Sequence, residues 1–117
     1  METLTIYHNP RCSKSRSALA LLQERKVPLR IVEYLKEPPP RAELAALRRK
    51  LGLAPSEWIR KGESEYKAAG LDANSTEEKL LDAMAKHPIL IERPIVVRGD
   101  RAVVGRPPER VLELLKK

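Results

Sequence analysis

The most reactive side chain in the sequence is its only cysteine, Cys12. It lies in the segment 8–16, whose sequence is His-Asn-Pro-Arg-Cys-Ser-Lys-Ser-Arg. Basic or potentially basic side chains flank it on both sides, namely His8, Arg11, Lys14 and Arg16. A thiolate is the nucleophilic form of cysteine, and nearby cations lower the thiol pKa below its usual value of about 8.5. The composition of this segment therefore predicts a reactive thiol.

A change in hydrophobic pattern places Cys12 at the start of a helix. Residues 3–7 alternate and are rich in strand formers, whereas apolar residues recur at helical spacing from Ser13 onward. Cys12 is thus expected in the turn or at the helix N-cap, where unpaired N–H groups and the positive end of the helix dipole face its sulfur. These groups, together with arginine side chains, also suit a tetrahedral oxyanion. The alternative is a buried, unreactive cysteine with solvated charges around it.

Two further arginines, Arg93 and Arg106, each stand directly before a proline. The residue before proline is restricted to extended conformations, and a stiff backbone reduces the entropy lost when a guanidinium group binds an anion. The alternative for each arginine is a solvated surface residue, which is the commoner case for a single Arg-Pro. Pro94, at the entrance to a predicted strand, is a candidate for a cis peptide bond. Arg60 follows Trp58 and Ile59 and carries no signal of its own.

The composition argues against several other kinds of site. A single cysteine excludes an intramolecular disulfide and the common zinc sites with two or four cysteines, and His87 before Pro88 suits a helix end better than a metal. The net charge of +7 is spread along the chain among 16 acidic residues without a nucleic-acid-binding motif. We therefore expect an anionic small molecule as ligand, and no direct nucleic acid.

The sequence also gives no indication of a membrane or secretory segment. No apolar run approaches 18 residues, and the N-terminal residues do not resemble a signal peptide. We expect a cytoplasmic protein in which the thiol stays reduced.

The predicted elements follow the order β-α-β, several helices, then β-β-α. The first part implies parallel strands joined by a right-handed crossover. Gly99 and Asp100 form a two-residue hairpin turn between the last strands. This order matches an α/β, thioredoxin-like fold with a mixed four-stranded sheet. We predict a single domain, 1–117, with a helical insertion at about 41–87.

Local signals predict how several helices begin and end. Gly52 is a natural stop for a helix that carries Leu44 and Leu47. Ser75 and Glu78 have the spacing of a capping box for the helix that follows. The lysines at the C-terminus are expected to complement the dipole of the last helix.

Four blocks of the sequence together resemble the glutaredoxin-coupled bacterial arsenate reductases. They are segments 8–16, 59–61 (Ile-Arg-Lys), 87–97 (His-Pro-Ile-Leu-Ile-Glu-Arg-Pro-Ile-Val-Val) and 105–108 (Gly-Arg-Pro-Pro). The resemblance implies a thioredoxin-like fold with Cys12 as the nucleophile. It further implies that Arg60, Arg93 and Arg106 bind the oxyanion and that His8 lowers the pKa of Cys12. Other residues would belong to the same loop, namely Asn9, Ser15 and Arg16.

The resemblance also implies a substrate and partners. The substrate would be arsenate or a similar oxyanion, no cofactor would be bound, and glutathione and glutaredoxin would act as external reductants. Because the chain has one cysteine, a second thiol must come from outside to resolve an adduct on Cys12.

Two alternatives stay open at this stage. One is a non-enzymatic regulator that binds RNA polymerase or another protein, although a related branch of such regulators commonly carries Cys-x-x-Cys where this chain has Ser15. The other is a glutathione-linked oxidoreductase with a different substrate.

Overall fold

The structure is a computed structural model that describes residues 2–116. Within these residues the strands form a four-stranded sheet in the order β2-β1-β3-β4. The strands are β1 (Leu4–His8), β2 (Leu29–Glu33), β3 (Ile95–Arg98) and β4 (Arg101–Val104). β1 is parallel to β2 and antiparallel to β3, and β3 is antiparallel to β4. The mixed sheet confirms the predicted α/β class.

Helices of two kinds lie between these strands and after the last one. The α-helices are α1 (Ser13–Glu24), α2 (Arg41–Leu51), α3 (Ser64–Ala68) and α4 (Glu77–Lys86). The 3-10 helices, which have fewer residues per turn, are Pro55–Glu57, Pro88–Leu90 and Pro108–Leu115. The predicted last helix is therefore present as a 3-10 helix.

The chain divides into two compact units. The first combines Met1–Glu37 with Arg93–Lys117, and the second is Pro38–Glu92. The first unit contains the sheet, and the second contains α2, α3 and α4. That both belong to a single domain stays a prediction.

The core of the first unit lies between one face of the sheet and two helices. α1 contributes Ala18 and Leu22, which are four residues apart and therefore on one face of the helix. The remaining buried members come from β1, β3 and the last 3-10 helix, namely Leu4, Ile6, Val96, Val111 and Leu114. Because β1 and α1 both pack into this core, the connection 9–12 between them is held at both ends.

In the second unit α2 packs against α4, and ion pairs flank the contact. Arg41 pairs with Glu78 and with Asp82, and Arg48 pairs with Glu77. These pairs are exposed, so each contributes little free energy.

The predicted stop of α2 is present, since Gly52 has a φ of +66° and its N–H donates to the carbonyl oxygens of Arg48 and Arg49. Glycine enters this left-handed conformation without a steric penalty from Cβ.

One local prediction about a helix end is wrong, and another is not tested. The N-cap of α4 is Thr76, whose Oγ1 accepts a hydrogen bond from the Lys79 N–H, while the Ser75 hydroxyl accepts one from the Asp72 N–H in the preceding turn. At the end of the last 3-10 helix, the Arg98 guanidinium donates to the Leu114 carbonyl oxygen at 2.7 Å. A cation from the β-hairpin therefore lies at this helix end. Lys117 lies outside the described residues, so the prediction for the two terminal lysines stays a prediction.

Candidate active site

Cys12 is the N-cap residue of α1, with extended backbone angles (φ −94°, ψ 122°). Its own N–H donates to the Asn9 carbonyl oxygen at 3.0 Å, which closes a turn over residues 9–12. The Asn9 side chain holds this turn from inside, because its Oδ1 accepts from the Arg11 N–H at 3.0 Å. The first turn of α1 contains no acidic residue. The sulfur therefore faces the positive end of α1 without a competing carboxylate from that helix.

The pKa of the Cys12 thiol is lowered despite its partial burial. Burial itself opposes ionisation, but hydrogen bonds from the Ser15 N–H, the Arg93 side chain and the Lys14 N–H favour the thiolate, as does the positive charge of Arg93. These are the groups that stabilise a sulfur anion at a helix N-terminus. The side chain is only partly buried, so it stays accessible to a reactant.

His8, Ser15 and Asn9 form a buried hydrogen-bonded cluster beneath the loop. The Ser15 Oγ lies 2.7 Å from His8 Nδ1 and accepts a hydrogen bond from the Asn9 N–H at 3.0 Å. All three residues are buried. The cluster fixes the first turn of α1 relative to the end of β1, and with it the N–H groups that face Cys12.

The surroundings of His8 favour its neutral form. Burial lowers its pKa, Glu33 opposes that shift, and Arg16 adds to it. A neutral imidazole brings no positive charge to Cys12. The role that the resemblance implies for His8 in lowering the Cys12 pKa stays a prediction, and in this structure His8 contacts Ser15.

Arg16 completes the loop. Its guanidinium Nη1 donates to the Pro10 carbonyl oxygen at 2.8 Å. Asn9, Ser15 and Arg16 thus all bind backbone groups of the segment 9–11, which makes the loop a rigid support for Cys12.

Arg93 and Arg106 lie together in the first unit. Arg93 contacts the Cys12 side chain, and Arg106 Nη1 donates to the Arg93 carbonyl oxygen at 3.2 Å. The peptide bonds that follow them, Arg93–Pro94 and Arg106–Pro107, are both cis.

Gly105 allows these two segments to approach closely. Its N–H donates to the Pro94 carbonyl oxygen at 2.8 Å. A Cβ at this position would lie 2.8 Å from Pro94 Cγ and 2.9 Å from Val111 Cγ1. These distances are shorter than van der Waals contact, so only glycine fits here without displacement of its neighbours.

Arg60 lies in the second unit, where two carboxylates hold its guanidinium group. Nε is 3.2 Å from Glu63 and Nη1 is 3.0 Å from Glu92, while the Arg60 N–H donates to the Leu90 carbonyl oxygen at 2.7 Å. These acidic partners were not predicted from the sequence. Glu63 follows Arg60 by three residues across a turn that ends before α3, so helical spacing gave no signal for this pair. Glu92 depends on tertiary structure.

The structure thus brings several predicted residues together in the first unit. They are His8, Asn9, Cys12, Ser15, Arg16, Arg93 and Arg106. Across residues 2–116, no group of three or more His, Cys, Asp or Glu side chains is arranged to hold a metal ion. No helix in this part of the chain is both long and apolar enough to span a bilayer.

A parallel β-α-β unit that places an ionisable cysteine at the start of its helix, together with a β-hairpin on the same sheet, defines a thioredoxin-like thiol protein. Comparison with known proteins identifies the family. Residues 7–114 match the model of the ArsC family, and the chain belongs to that family.

The relatives match over nearly the whole chain. Arsenate reductase of Neisseria meningitidis serogroup A is 46% identical over 117 residues, which are 98% of this chain and 100% of that protein. The uncharacterized protein YfgD of Escherichia coli (strain K12) is 48% identical over 94% of each chain. The solved structure of arsenate reductase from Vibrio cholerae has a TM-score of 0.91 at 46% identity and covers 96% of this chain and 97% of its own. These matches confirm the resemblance and the thioredoxin-like fold.

Proposed function

We propose that this protein reduces arsenate to arsenite, with Cys12 as the nucleophile and with glutathione and glutaredoxin as external reductants. The observation that carries the proposal is the lowered pKa of a partly exposed thiol that contacts an arginine. The positive groups that stabilise the thiolate also bind an oxyanion. They therefore hold the oxyanion beside the sulfur that attacks it. The reductases in this family with the same length and fold support arsenate as the substrate.

In the first step the Cys12 thiolate attacks arsenic. A sulfur–arsenic bond forms and an As–O bond breaks, and the oxygen takes up a proton and leaves as water. The arsenic remains As(V) in this adduct. The Arg93 guanidinium and the N–H groups of Lys14 and Ser15 stabilise the negative charge, first on sulfur and then on the arsenate oxygens.

In the second step glutathione attacks the Cys12 sulfur as a thiolate. A disulfide forms between Cys12 and glutathione, the sulfur–arsenic bond breaks, and its electron pair reduces As(V) to As(III), which leaves as arsenite. Glutaredoxin then attacks the glutathione sulfur and releases the Cys12 thiolate. The balance is one arsenate and two thiols converted to one arsenite, one disulfide and one water.

The arginines have different roles in this scheme. Arg93 contacts both the thiolate and the incoming oxyanion. Arg106 supports Arg93 by a hydrogen bond to the Arg93 carbonyl oxygen. Its planar guanidinium group is the second that binds the oxyanion. The family resemblance supports Arg60 as a third oxyanion ligand, and within the second unit its guanidinium group pairs with Glu63 and Glu92. We place the reaction in the cytoplasm, where both reductants occur.

The experiment is a coupled assay with arsenate, glutathione, glutaredoxin and an NADPH-dependent glutathione reductase. NADPH oxidation that requires arsenate and disappears in Cys12→Ser supports the proposal. Arg25→Ala is a matched control, because this exposed arginine lies at the other end of α1. Equal rates for the wild type and Cys12→Ser would contradict the proposal. A reactive thiol without arsenate-dependent oxidation would point to another substrate.

A further inference from the structure

A shallow groove of about 220 Å³ in the first unit lies next to the cysteine loop. The end of β1 and the loop after it form one side, and the end of β2 and the residues after it form the other. The lining residues are His8, Asn9, Pro10, Arg11, Glu33, Leu35 and Lys36. Arg11 is the neighbour of Cys12 in sequence, so the groove ends within one residue of the nucleophile.

The groove presents charges of both signs around an apolar surface. Arg11 and Lys36 are exposed cations, and Glu33 is a half-exposed carboxylate. Leu35 leaves 42% of its surface exposed, which is unusual for a large apolar side chain in this protein. Glu33 Oε1 and Lys36 Nζ lie 3.6 Å apart at the surface. Because an exposed ion pair of this kind contributes little free energy, each group can readily exchange its partner for another.

We propose that this groove binds glutathione and delivers its thiol to Cys12. Glutathione carries two carboxylates, one ammonium group and one thiol. The two cations of the groove bind the carboxylates, Glu33 binds the ammonium group, and Leu35 covers the aliphatic part of the tripeptide. This assignment rests on the proposed function, because it names the site of the reductant in that reaction.

The groove also explains how one cysteine loop can serve two reactants. Arg93 and the start of α1 contact the sulfur and hold the oxyanion, whereas the groove lies on the side of Pro10 and Arg11. The arsenate and the thiol therefore bind to different residues. Glutathione enters with its thiol directed at the Cys12 sulfur, which it must attack to release arsenite.

A test without arsenate uses the single cysteine as a label site. Ellman's reagent converts Cys12 to a mixed disulfide with thionitrobenzoate, whose release by an added thiol is followed by absorbance. The rate with glutathione is divided by the rate with 2-mercaptoethanol, a neutral thiol that the charged groups of the groove do not recognise. For Lys36→Glu and for Arg11→Glu we expect this ratio to fall about three- to tenfold.

Two further variants separate specific binding from general charge. Arg25→Glu makes the same change in net charge at the other end of α1, about 20 Å from Cys12 by the rise of a helix, and should leave the ratio nearly unchanged. Glu33→Gln makes the protein more positive, so long-range attraction alone would speed the reaction with anionic glutathione. Loss of the ammonium partner predicts the opposite, a fall of about twofold or more.

Unchanged ratios in Lys36→Glu and Arg11→Glu, an equal fall in Arg25→Glu, or a rise in Glu33→Gln would each overturn the assignment. The coupled arsenate assay tests the proposed function separately. A groove that selects glutathione in a protein without arsenate turnover would mean that the thiol site is present and the oxyanion substrate is different. Arsenate turnover with unchanged ratios would mean that the reductant binds elsewhere.

Discussion

The helices α1 and α4 begin in different ways. At α4 the N-cap is Thr76, whose hydroxyl accepts from the Lys79 N–H at 3.2 Å, and Glu77 and Glu78 occupy the first turn. At α1 the N-cap is Cys12, and the first turn has no acidic residue. In α4 the N-terminal N–H groups and the dipole stabilise the helix itself. In α1 the same backbone features stabilise a sulfur anion.

The start of α1 favours an ionised thiol and lacks the local features that stabilise the start of α4. Ser, Thr, Asp and Asn are the residues preferred at an N-cap, and acidic residues in the first turn stabilise a helix. α4 has both features and α1 has neither. α1 is instead held by core packing through Ala18 and Leu22, and by the buried contacts of Ser15. Tertiary contacts thus replace the local cap.

Replacement of Cys12 by Ser should have the largest effect on activity and almost none on stability. We expect turnover to fall by about 10³-fold or more, since the proposed nucleophile is lost. The free energy of unfolding should stay equal or rise slightly, because Ser is a preferred N-cap residue. The coupled assay and urea denaturation measure the two effects. A large loss of stability would show that the thiol is part of the cap.

Arg93→Ala should change both the affinity for arsenate and the pH dependence of the thiol. Loss of a charged hydrogen bond is expected to raise KM for arsenate about tenfold or more. Since Arg93 helps to lower the pKa of Cys12, its removal should raise that pKa. The rate of alkylation by iodoacetamide should therefore reach half its maximum at a higher pH. An unchanged alkylation profile would remove Arg93 from the thiol environment.

Thr76→Ala is the matching change at α4 and should affect stability alone. Loss of the N-cap hydrogen bond is expected to lower the free energy of unfolding by about 1 kcal/mol. The alkylation rate of Cys12 at a given pH should not change. Urea denaturation and alkylation of the same preparation measure both quantities. If Ser75→Ala destabilised the protein more than Thr76→Ala, the cap would be assigned to the wrong hydroxyl.

Lys14→Glu should make the start of α1 resemble that of α4. An acidic residue in the first turn favours the helix by about 0.3–1 kcal/mol, so stability should rise or stay constant. The added negative charge disfavours the thiolate, so the pKa of Cys12 should rise and alkylation near neutral pH should slow. Lys14→Gln separates loss of the positive charge from gain of the negative one. Faster alkylation in Lys14→Glu would contradict the proposed electrostatic role of the helix start.

Local sequence signals were sufficient for the position of Cys12 but not for all of the helix ends. The change from strand to helix periodicity placed Cys12 in the turn or at the N-cap, and the structure has it at the N-cap. At α4 two hydroxyl residues stand side by side, and the pattern selected Ser75 instead of Thr76. The choice between them depends on the preceding turn, where the Ser75 hydroxyl binds the Asp72 N–H.

The sequence alone determined the order of elements, the α/β class and a lone cysteine in a basic segment, because these depend on periodicity and residue type within short stretches. Only the tertiary structure decided that Arg93 meets the thiol. The antiparallel pairing of Tyr7 with Ile95 brings the end of β1 beside the start of β3, and so brings residues from distant parts of the chain together. The tertiary structure also determines that Arg60 pairs with Glu92. Strand register and packing set such contacts, and neither is encoded in a local pattern.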